Sequence, residues 1–383
     1  MVIAIRRKRF IIQNIVIKFV CMKKYALLLV LLSCTLAAQG QVWHDATKMH
    51  VYGKAVEDTY APFARFPADI DSLVRDGVRY LGRDAAGLYV QFRTDSPSVH
   101  VRWKSVKRLT MSHMSSVGSR GVDLYARRDD GWRFVGSARP ALDYHETTRC
   151  IVKEMSAGYK EFRMYLSLYD GVSELEIGTD PGYEFIPESV VKRAAPIVMY
   201  GTSILQGGCV SRPGMAFTNI LGRWLDREVV NLGFSGNAIL DPEVAQLMAR
   251  VENPAVFVLD NVPNCKPEVI LERGEAFVRI LREAHPSVPV VFVEMAHYSY
   301  DWVSASSFEA VEARNAAQRT VYERLQAAGY KNLHYVPGAL LNGTDGEATV
   351  DYVHTTDLGQ TRYAQALYPV LKELLATGRA KRR

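Results

Sequence analysis

The sequence predicts an α/β domain built as a doubly wound, mostly parallel sheet, preceded by an all-β sandwich or jelly roll. Three observations carry this. From Pro196 onward, short apolar runs alternate with amphipathic stretches of helical length, the rhythm of strand–helix repeats in a parallel sheet. Between residue 42 and about residue 190 the apolar runs are short, often alternating and punctuated by turn residues, as in sandwiches. The length of 383 residues suits two such units, and 48% apolar residues supply sizeable cores.

Residues 1–40 form a leader. They hold seven basic side chains (Arg6, Arg7, Lys8, Arg9, Lys18, Lys23, Lys24) and no acidic one. From Met22 the layout is that of a secretory signal: Lys23-Lys24, the apolar run Tyr25 to Leu32, then small residues to Gly40. The run is short for a membrane span. Met1 to Cys21 reads as an upstream start that the working protein does not use, against the competing reading of a second membrane segment. Leu31-Leu32-Ser33-Cys34 also resembles a lipoprotein cleavage box. Export to the periplasm or medium is therefore expected, with a lipid anchor at Cys34 as the alternative. Losing seven positive charges from a formal +6 leaves a mature chain near −1, so nucleic-acid binding loses its electrostatic support.

The β region, 42–190, has candidate strands at Gly87 to Phe92, Ser98 to Trp103, Val122 to Ala126, Trp132 to Val135, Tyr159 to Leu168 and Leu175 to Ile177. Turn signals such as Asp129-Asp130-Gly131 and Asp170-Gly171 separate them. Pro187 to Pro196 reads as a linker. In the second domain, 195–378, strands are expected at 197–200, 228–232, 255–260, 288–293 and 333–336. Helices are expected at 214–226, 242–251, 267–285, 308–328 and 357–375. The basic tail 379–383 reads as a solvated end.

Ser203 is the first candidate functional residue. It follows the apolar run Ile197 to Tyr200 in Gly201-Thr202-Ser203-Ile204, at the carboxyl end of the domain's first strand, where open α/β sheets bind ligands. A serine hydroxyl becomes a nucleophile when a base takes its proton. Of nine histidines, His354 has a carboxylate three residues earlier, Asp351, on a loop rich in turn residues. His297 and His334 lie in the α/β half but lack a suitably placed carboxylate signature. An oxyanion also needs fixed donors. The N–H groups of Ser203 and Gly233 and the amide of Asn264 are candidates, with Asn261 in reserve. Glu294 to Tyr298 either lines the pocket or forms a solvated loop.

Two of the five cysteines, Cys21 and Cys34, fall in the leader. In an exported protein Cys209 and Cys265 could pair beside the site. Three buried free thiols are the equal alternative, and no Cys/His metal-ligand spacing is present in the sequence.

Together, Gly201 to Ile204, Gly233 and Asp351-x-x-His354 resemble the SGNH (GDSL-type) serine hydrolase superfamily. Gly121-Val122-Asp123-Leu124-Tyr125 further resembles the Gly-x-Asp-Leu-Tyr motif of bacterial two-domain members with an N-terminal β-sandwich. The resemblance implies a flavodoxin-like five-stranded parallel sheet, with Ser203 as nucleophile, His354 as base and Asp351 as its partner. The oxyanion hole would comprise Ser203, Gly233 and an Asn. Thr202 stands where the family has Asp, and no literal Gly-x-Asn-Asp block exists, which leaves Asn264 and Asn261 open. The implied activity is an exported esterase hydrolysing short-chain acyl esters, O-acetyl groups on carbohydrate foremost, with no metal or organic cofactor. An acyltransferase using the same acyl-serine and a non-catalytic carbohydrate-binding protein are the alternatives. The expected partner is a small acyl ester or acetylated glycan, with no nucleic acid and no membrane unless Cys34 is lipidated.

Overall fold

The structure, a computed structural model, describes residues 40–188 and 194–380. The leader, the Cys34 box, part of the linker and residues 381–383 of the tail lie outside the described residues. Apart from Gly40 to Val42 and Asp180 to Gly182, the described residues form one compact unit.

The first half contains strands β1 (Val42–Asp45), β2 (Val51–Tyr52), β3 (Tyr89–Thr94), β4 (Val99–Ser105), β5 (Val122–Arg128), β6 (Gly131–Ala138), β7 (Glu146–Val152), β8 (Lys160–Tyr165), β9 (Val172–Thr179) and β10 (Phe185–Pro187). One sheet has the order β1-β9-β4-β7, the other β10-β3-β8-β5-β6, with β2 beside β3. Along β4 the residues Val99, Val101 and Trp103 are buried while His100 and Arg102 between them are not, the period-two pattern of a strand with one face on a core. With Ile177 of the neighbouring β9 they share a core with Phe92, Leu124, Phe162 and Met164 of the facing sheet. Strand β7 was not expected. Its only fully buried residue is Thr147, so it carries no apolar alternation to announce it. Three short helices, α1 (Ala68–Leu73), α2 (Asp76–Gly82) and α3 (Ser116–Arg120), complete this half.

The second half contains β11 (Ile197–Gly201), α4 (Ser203–Gln206), α5 (Phe217–Trp224), β12 (Val229–Gly233), α6 (Pro242–Ala249), β13 (Val256–Asp260), α7 (Pro267–Ala284), β14 (Val290–Val293), α8 (Ala305–Ala327), β15 (Leu333–Val336) and α9 (Asp357–Ala380). The five strands form one parallel sheet in the order β12-β11-β13-β14-β15. Every residue of β11, β12 and β13 is buried, as required of strands covered on both faces. Ile270, Phe277, Val278, Val311 and Val321 cover one face, and Phe217, Leu221, Tyr363, Leu367 and Leu371 the other. This is the flavodoxin-like doubly wound arrangement. The chain leaves β11 for β12 on one side and later returns to β13 on the other, which puts the topological switch point at the carboxyl end of β11.

Buried polar groups join the two halves. Arg65 is fully buried and donates through Nη1 to the carbonyls of Asn231 (3.0 Å) and Gly233 (2.8 Å) at the end of β12. Gln206, in α4, donates to Asp84 Oδ2 (3.0 Å) and to the Leu168 carbonyl (3.0 Å). Gly87, at φ 80°, packs so closely on Asn231 that a Cβ would lie 2.5 Å from the asparagine Cβ. The sandwich is thus a wall of the sheet's active end.

Candidate active site

Ser203 opens α4, the single helical turn that follows β11. Thr202 caps the turn, its hydroxyl accepting the Ile204 N–H at 3.3 Å, so this residue keeps the capping role of a short polar side chain. The turn closes on Gly207 in the left-handed region, φ 104°. The Ser203 carbonyl accepts from the N–H groups of Gly207 (3.1 Å) and Gly208 (2.7 Å) and from the Tyr169 hydroxyl of the sandwich (3.3 Å). The Ser203 N–H stands at the first helical position, where no intrahelical acceptor exists.

His354 arrives from the loop before α9. Its Nε2 lies 2.9 Å from Ser203 Oγ and its Nδ1 lies 2.7 Å from Asp351 Oδ2. The other Asp351 oxygen accepts the N–H groups of Val353 (3.2 Å) and His354 (2.7 Å), which folds the four-residue loop onto itself. Tyr352 pays for that fold with a left-handed φ of 63°. Burial raises the Asp351 carboxyl, but hydrogen bonds from the His354 side chain and backbone outweigh it, and its pKa lies below the ordinary value. Gln360 of α9 holds the two loops together, donating to the Ile204 carbonyl (2.9 Å) and to Thr355 Oγ1 (2.6 Å). Such a Ser–His–Asp chain can transfer a proton from the hydroxyl to an imidazole steadied by a carboxylate.

The expected oxyanion donors separate. Gly233 does not offer a free amide, because its N–H donates to Asn231 Oδ1 at 2.9 Å. Glycine is required there for another reason: a Cβ would sit 2.3 Å from the backbone nitrogen of Gln206. Asn261 is buried with its amide nitrogen turned to Cys265 Sγ. Asn264 is half-buried, and its Oδ1 accepts the Ala238 N–H at 3.2 Å, which orients the side chain and leaves Nδ2 to donate elsewhere. Ser203 N–H and Asn264 Nδ2 are therefore the better pair.

The cysteines correct an expectation. Cys209 and Cys265 are both buried free thiols, so no bridge joins them, and Cys150 is an exposed thiol outside any disulfide. Cys265 instead donates to the Ala238 carbonyl at 3.3 Å. Burial pushes the Cys209 thiol up to about 12, with the charge of Asp351 adding to the effect. Sequence spacing showed no metal-ligand set, yet folding brings His113, Cys209 and His354 together, their ligand atoms all within 4.8 Å of one another.

The Gly-x-Asp-Leu-Tyr motif acts at a distance from the reacting atoms. Asp123 is buried and accepts from Arg212 Nη1 (2.9 Å), the Gly214 N–H (2.8 Å) and Ser137 Oγ (2.6 Å). Tyr125 accepts from the same Arg212 nitrogen at 2.6 Å. The motif clamps the segment that leaves the Ser203 turn.

His297, which carries no suitably placed carboxylate signature in the sequence, has two carboxylate partners: Asp301 Oδ2 at 2.8 Å on Nδ1 and Glu312 Oε1 at 3.0 Å on Nε2. Both ring nitrogens are thereby engaged. Glu294 is buried and bound to Arg319 and the Gly338 N–H, so it anchors strand ends. His297 and Tyr298, with Asp301, Trp302, Asn342 and Thr349, line a cavity of about 280 Å³. Beside it Tyr298 stacks on Tyr300 at 5.7 Å, and Tyr352 meets both rings edge-on at 5.8 and 4.9 Å. Trp302 is 85% exposed and Tyr352 52%. An exposed aromatic shelf therefore adjoins the Asp351–His354 loop.

Residues 194–372 match the family model described as GDSL-like lipase/acylhydrolase, and residues 41–185 match the N-terminus of SGNH-hydrolase-type esterases named for Gly-x-Asp-Leu-Tyr. A solved structure described as a GDSL-like lipase, from Bacteroides ovatus, is 32% identical, with a TM-score of 0.83 over 88% of this chain and 98% of that one. The chain belongs to the GDSL-like lipase/acylhydrolase family. Within the family's wider fold, a salicylyl-acyltransferase from a tetracycline biosynthetic pathway is 20% identical, with a TM-score of 0.71 over 89% of this chain and 98% of that one. An acetyl xylan esterase from the rumen bacterium Butyrivibrio proteoclasticus is 12% identical, with a TM-score of 0.55 over 88% of this chain and 99% of that one. These two share the fold of this GDSL-like protein. No curated protein sequence matches it.

Proposed function

We propose that this GDSL/SGNH-family enzyme hydrolyses short-chain acyl esters, O-acetyl groups on carbohydrate in particular, through an acyl-Ser203 intermediate. One observation carries the reading: Ser203 Oγ lies 2.9 Å from His354 Nε2 while Asp351 holds Nδ1 at 2.7 Å. Ser203 Oγ attacks the acyl carbon as its proton passes to His354 Nε2, and Asp351 stabilises the imidazolium. The oxyanion of the tetrahedral adduct takes hydrogen bonds from the Ser203 N–H and Asn264 Nδ2. Collapse expels the alcohol, which leaves with the proton from His354. Water, deprotonated by the same nitrogen, then releases the acid and restores the hydroxyl.

The aromatic shelf supports a sugar as the alcohol. A pyranose has apolar C–H faces that pack on rings and hydroxyls that bond at the rim, and exposed aromatic patches of this kind mark binding surfaces. Export belongs to the same reading and rests on the Lys23 to Gly40 pattern.

The test is acetate release by the mature protein across a panel of acetylated polysaccharides, with Ser203→Ala as control. Release that vanishes in the variant supports the reading, and undiminished release overturns it. Adding a sugar acceptor and analysing products distinguishes hydrolysis from acyl transfer. Glycan binding by the full chain without any turnover would favour a binding protein instead.

A further inference from the structure

Three residues far apart in sequence meet on the reacting side of His354. His113 comes from the sandwich loop before α3, Cys209 from the turn after Ser203, and His354 from the loop before α9. The His113 ring is half-buried, with its centroid 5.4 Å from that of His354, and it makes no hydrogen bond among the described residues. Cys209 is buried and held at φ 69°, a left-handed backbone that a residue with a Cβ rarely takes and that persists where its surroundings impose it.

The His354 atom that can turn to a metal is Nε2, which would exchange its contact with Ser203 Oγ for the ion, because Nδ1 is bound to Asp351. The Cys209 segment passes on that side of the ring: a Cβ on Gly208 would lie 3.4 Å from His354 Cδ2, the carbon next to Nε2. Two imidazoles and one thiolate form a donor set suited to zinc, which binds three protein ligands and keeps a fourth position open. Bonds of about 2.0 Å to nitrogen and about 2.3 Å to sulfur put such donors roughly 3.5 Å apart. Donors already within 4.8 Å reach that spacing by small side-chain adjustments. Asp351 completes the arrangement, since metal-bound histidines commonly give their other N–H to a carboxylate, which fixes the tautomer.

We propose that His113, Cys209 and His354 bind Zn²⁺, and that the bound ion switches the enzyme off by occupying the Nε2 lone pair that would accept the Ser203 proton. The inhibitory half rests on His354 being the base of the ester chemistry. Binding is a simple exchange. The hydrated ion sheds water, the two imidazoles give lone pairs, the thiol becomes a thiolate, and one proton passes to solvent. No electron is transferred and no covalent bond of the protein breaks, so the inhibition is reversible. The sandwich supplies one ligand of three.

The experiment uses the mature full chain in metal-free buffer with an aryl acetate. Zn²⁺ is expected to abolish hydrolysis and EDTA to restore it fully. His113→Asn and Cys209→Ser should each raise the zinc concentration needed by at least about tenfold, because losing a ligand costs no less than losing an outer-shell partner. Each variant is scored against its own zinc-free rate, so changes in basal activity cancel. Co²⁺ gives a readout independent of turnover: a thiolate-to-cobalt charge-transfer band that persists in Ser203→Ala and is absent in Cys209→Ser. A cobalt band without any esterase activity would keep the metal site and refute the ester chemistry. Absence of the band, or equal zinc inhibition of wild type and both ligand variants, would refute the metal site.

Discussion

Asp123 of the sandwich and Arg212 of the sheet domain form an ion pair at 2.9 Å, with the Asp123 side chain fully buried and that of Arg212 20% exposed. Burial raises the Asp123 carboxyl, while Arg212 and hydrogen bonds from Ser137 and Gly214 oppose that rise. Arg212 also packs over the Phe134 ring at 3.7 Å, so three groups of the sandwich hold one guanidinium. Removing one partner leaves the other charge uncompensated. Asp123→Ala is expected to cost roughly 3–5 kcal/mol in chemical denaturation. A loss below about 1 kcal/mol, the range of surface pairs, would show that the clamp is ornamental.

Asp84 gives the fold a pH dependence. Burial raises its carboxyl to about 6, although Lys107 and Arg65 pull it down. A carboxyl raised in the folded state binds its proton more tightly there than in the unfolded chain. Its contribution to stability is therefore complete below the unfolded value near 3.8 and is lost as pH rises through about 6. The change is on the order of 3 kcal/mol. In urea denaturation between these limits, the stability of the wild type relative to Asp84→Asn should fall as pH rises, because the variant lacks this contribution. A difference that does not change with pH would place the titration elsewhere.

Asn264 and Asn261 are neighbours with different consequences. Asn264→Ala should lower kcat about 10²–10³-fold with little change in stability, as expected for loss of one oxyanion donor. Asn261→Ala should act on stability first, because its side chain is buried and its amide faces Cys265. Steady-state kinetics with thermal melts of both variants separates them. Equal kinetic losses would remove the distinction.

Asp351→Asn tests the orienting carboxylate. It keeps the shape but replaces an ionised acceptor for His354 Nδ1, and kcat should fall by roughly 10²–10⁴-fold with KM little changed. A fall in KM affinity alone would mean that the loop binds substrate and does not serve the proton transfer.

The residues along the chain announced what is local. Ser203 follows an apolar strand directly, and Asp351 and His354 are three residues apart, so both readings needed only short-range geometry. The five parallel strands were equally legible because each is short and dominated by apolar residues, broken only by Asn231 in β12, Asp260 at the end of β13 and His334 in β15. What escaped depends on direction and long separation. Asp123 and Arg212 lie 89 positions apart. The Gly233 N–H was read as free, because nothing in the order of residues shows that Asn231 turns back onto it. His297 finds Asp301 through a turn and Glu312 through α8, and neither contact has a spacing that stands out. Cys209 and Cys265 shared a plausible context, but their side chains serve different neighbourhoods.

The aromatic shelf can be tested apart from the ester chemistry. Trp302 is 85% exposed at the cavity edge, where a ligand can pack on it. An aromatic contact of roughly 1 kcal/mol corresponds to about fivefold in affinity. Trp302→Ala should therefore raise KM for an acetylated oligosaccharide about fivefold more than KM for an aryl acetate, which has no sugar to place on the shelf. Tyr352→Ala should shift the same ratio in the same direction; alanine keeps the Cβ and so the strained left-handed backbone beside Asp351, and its kcat must be read with both substrates. If both substrates lose KM equally in both variants, the rings hold the Asp351–His354 loop in shape and the sugar must be recognised elsewhere.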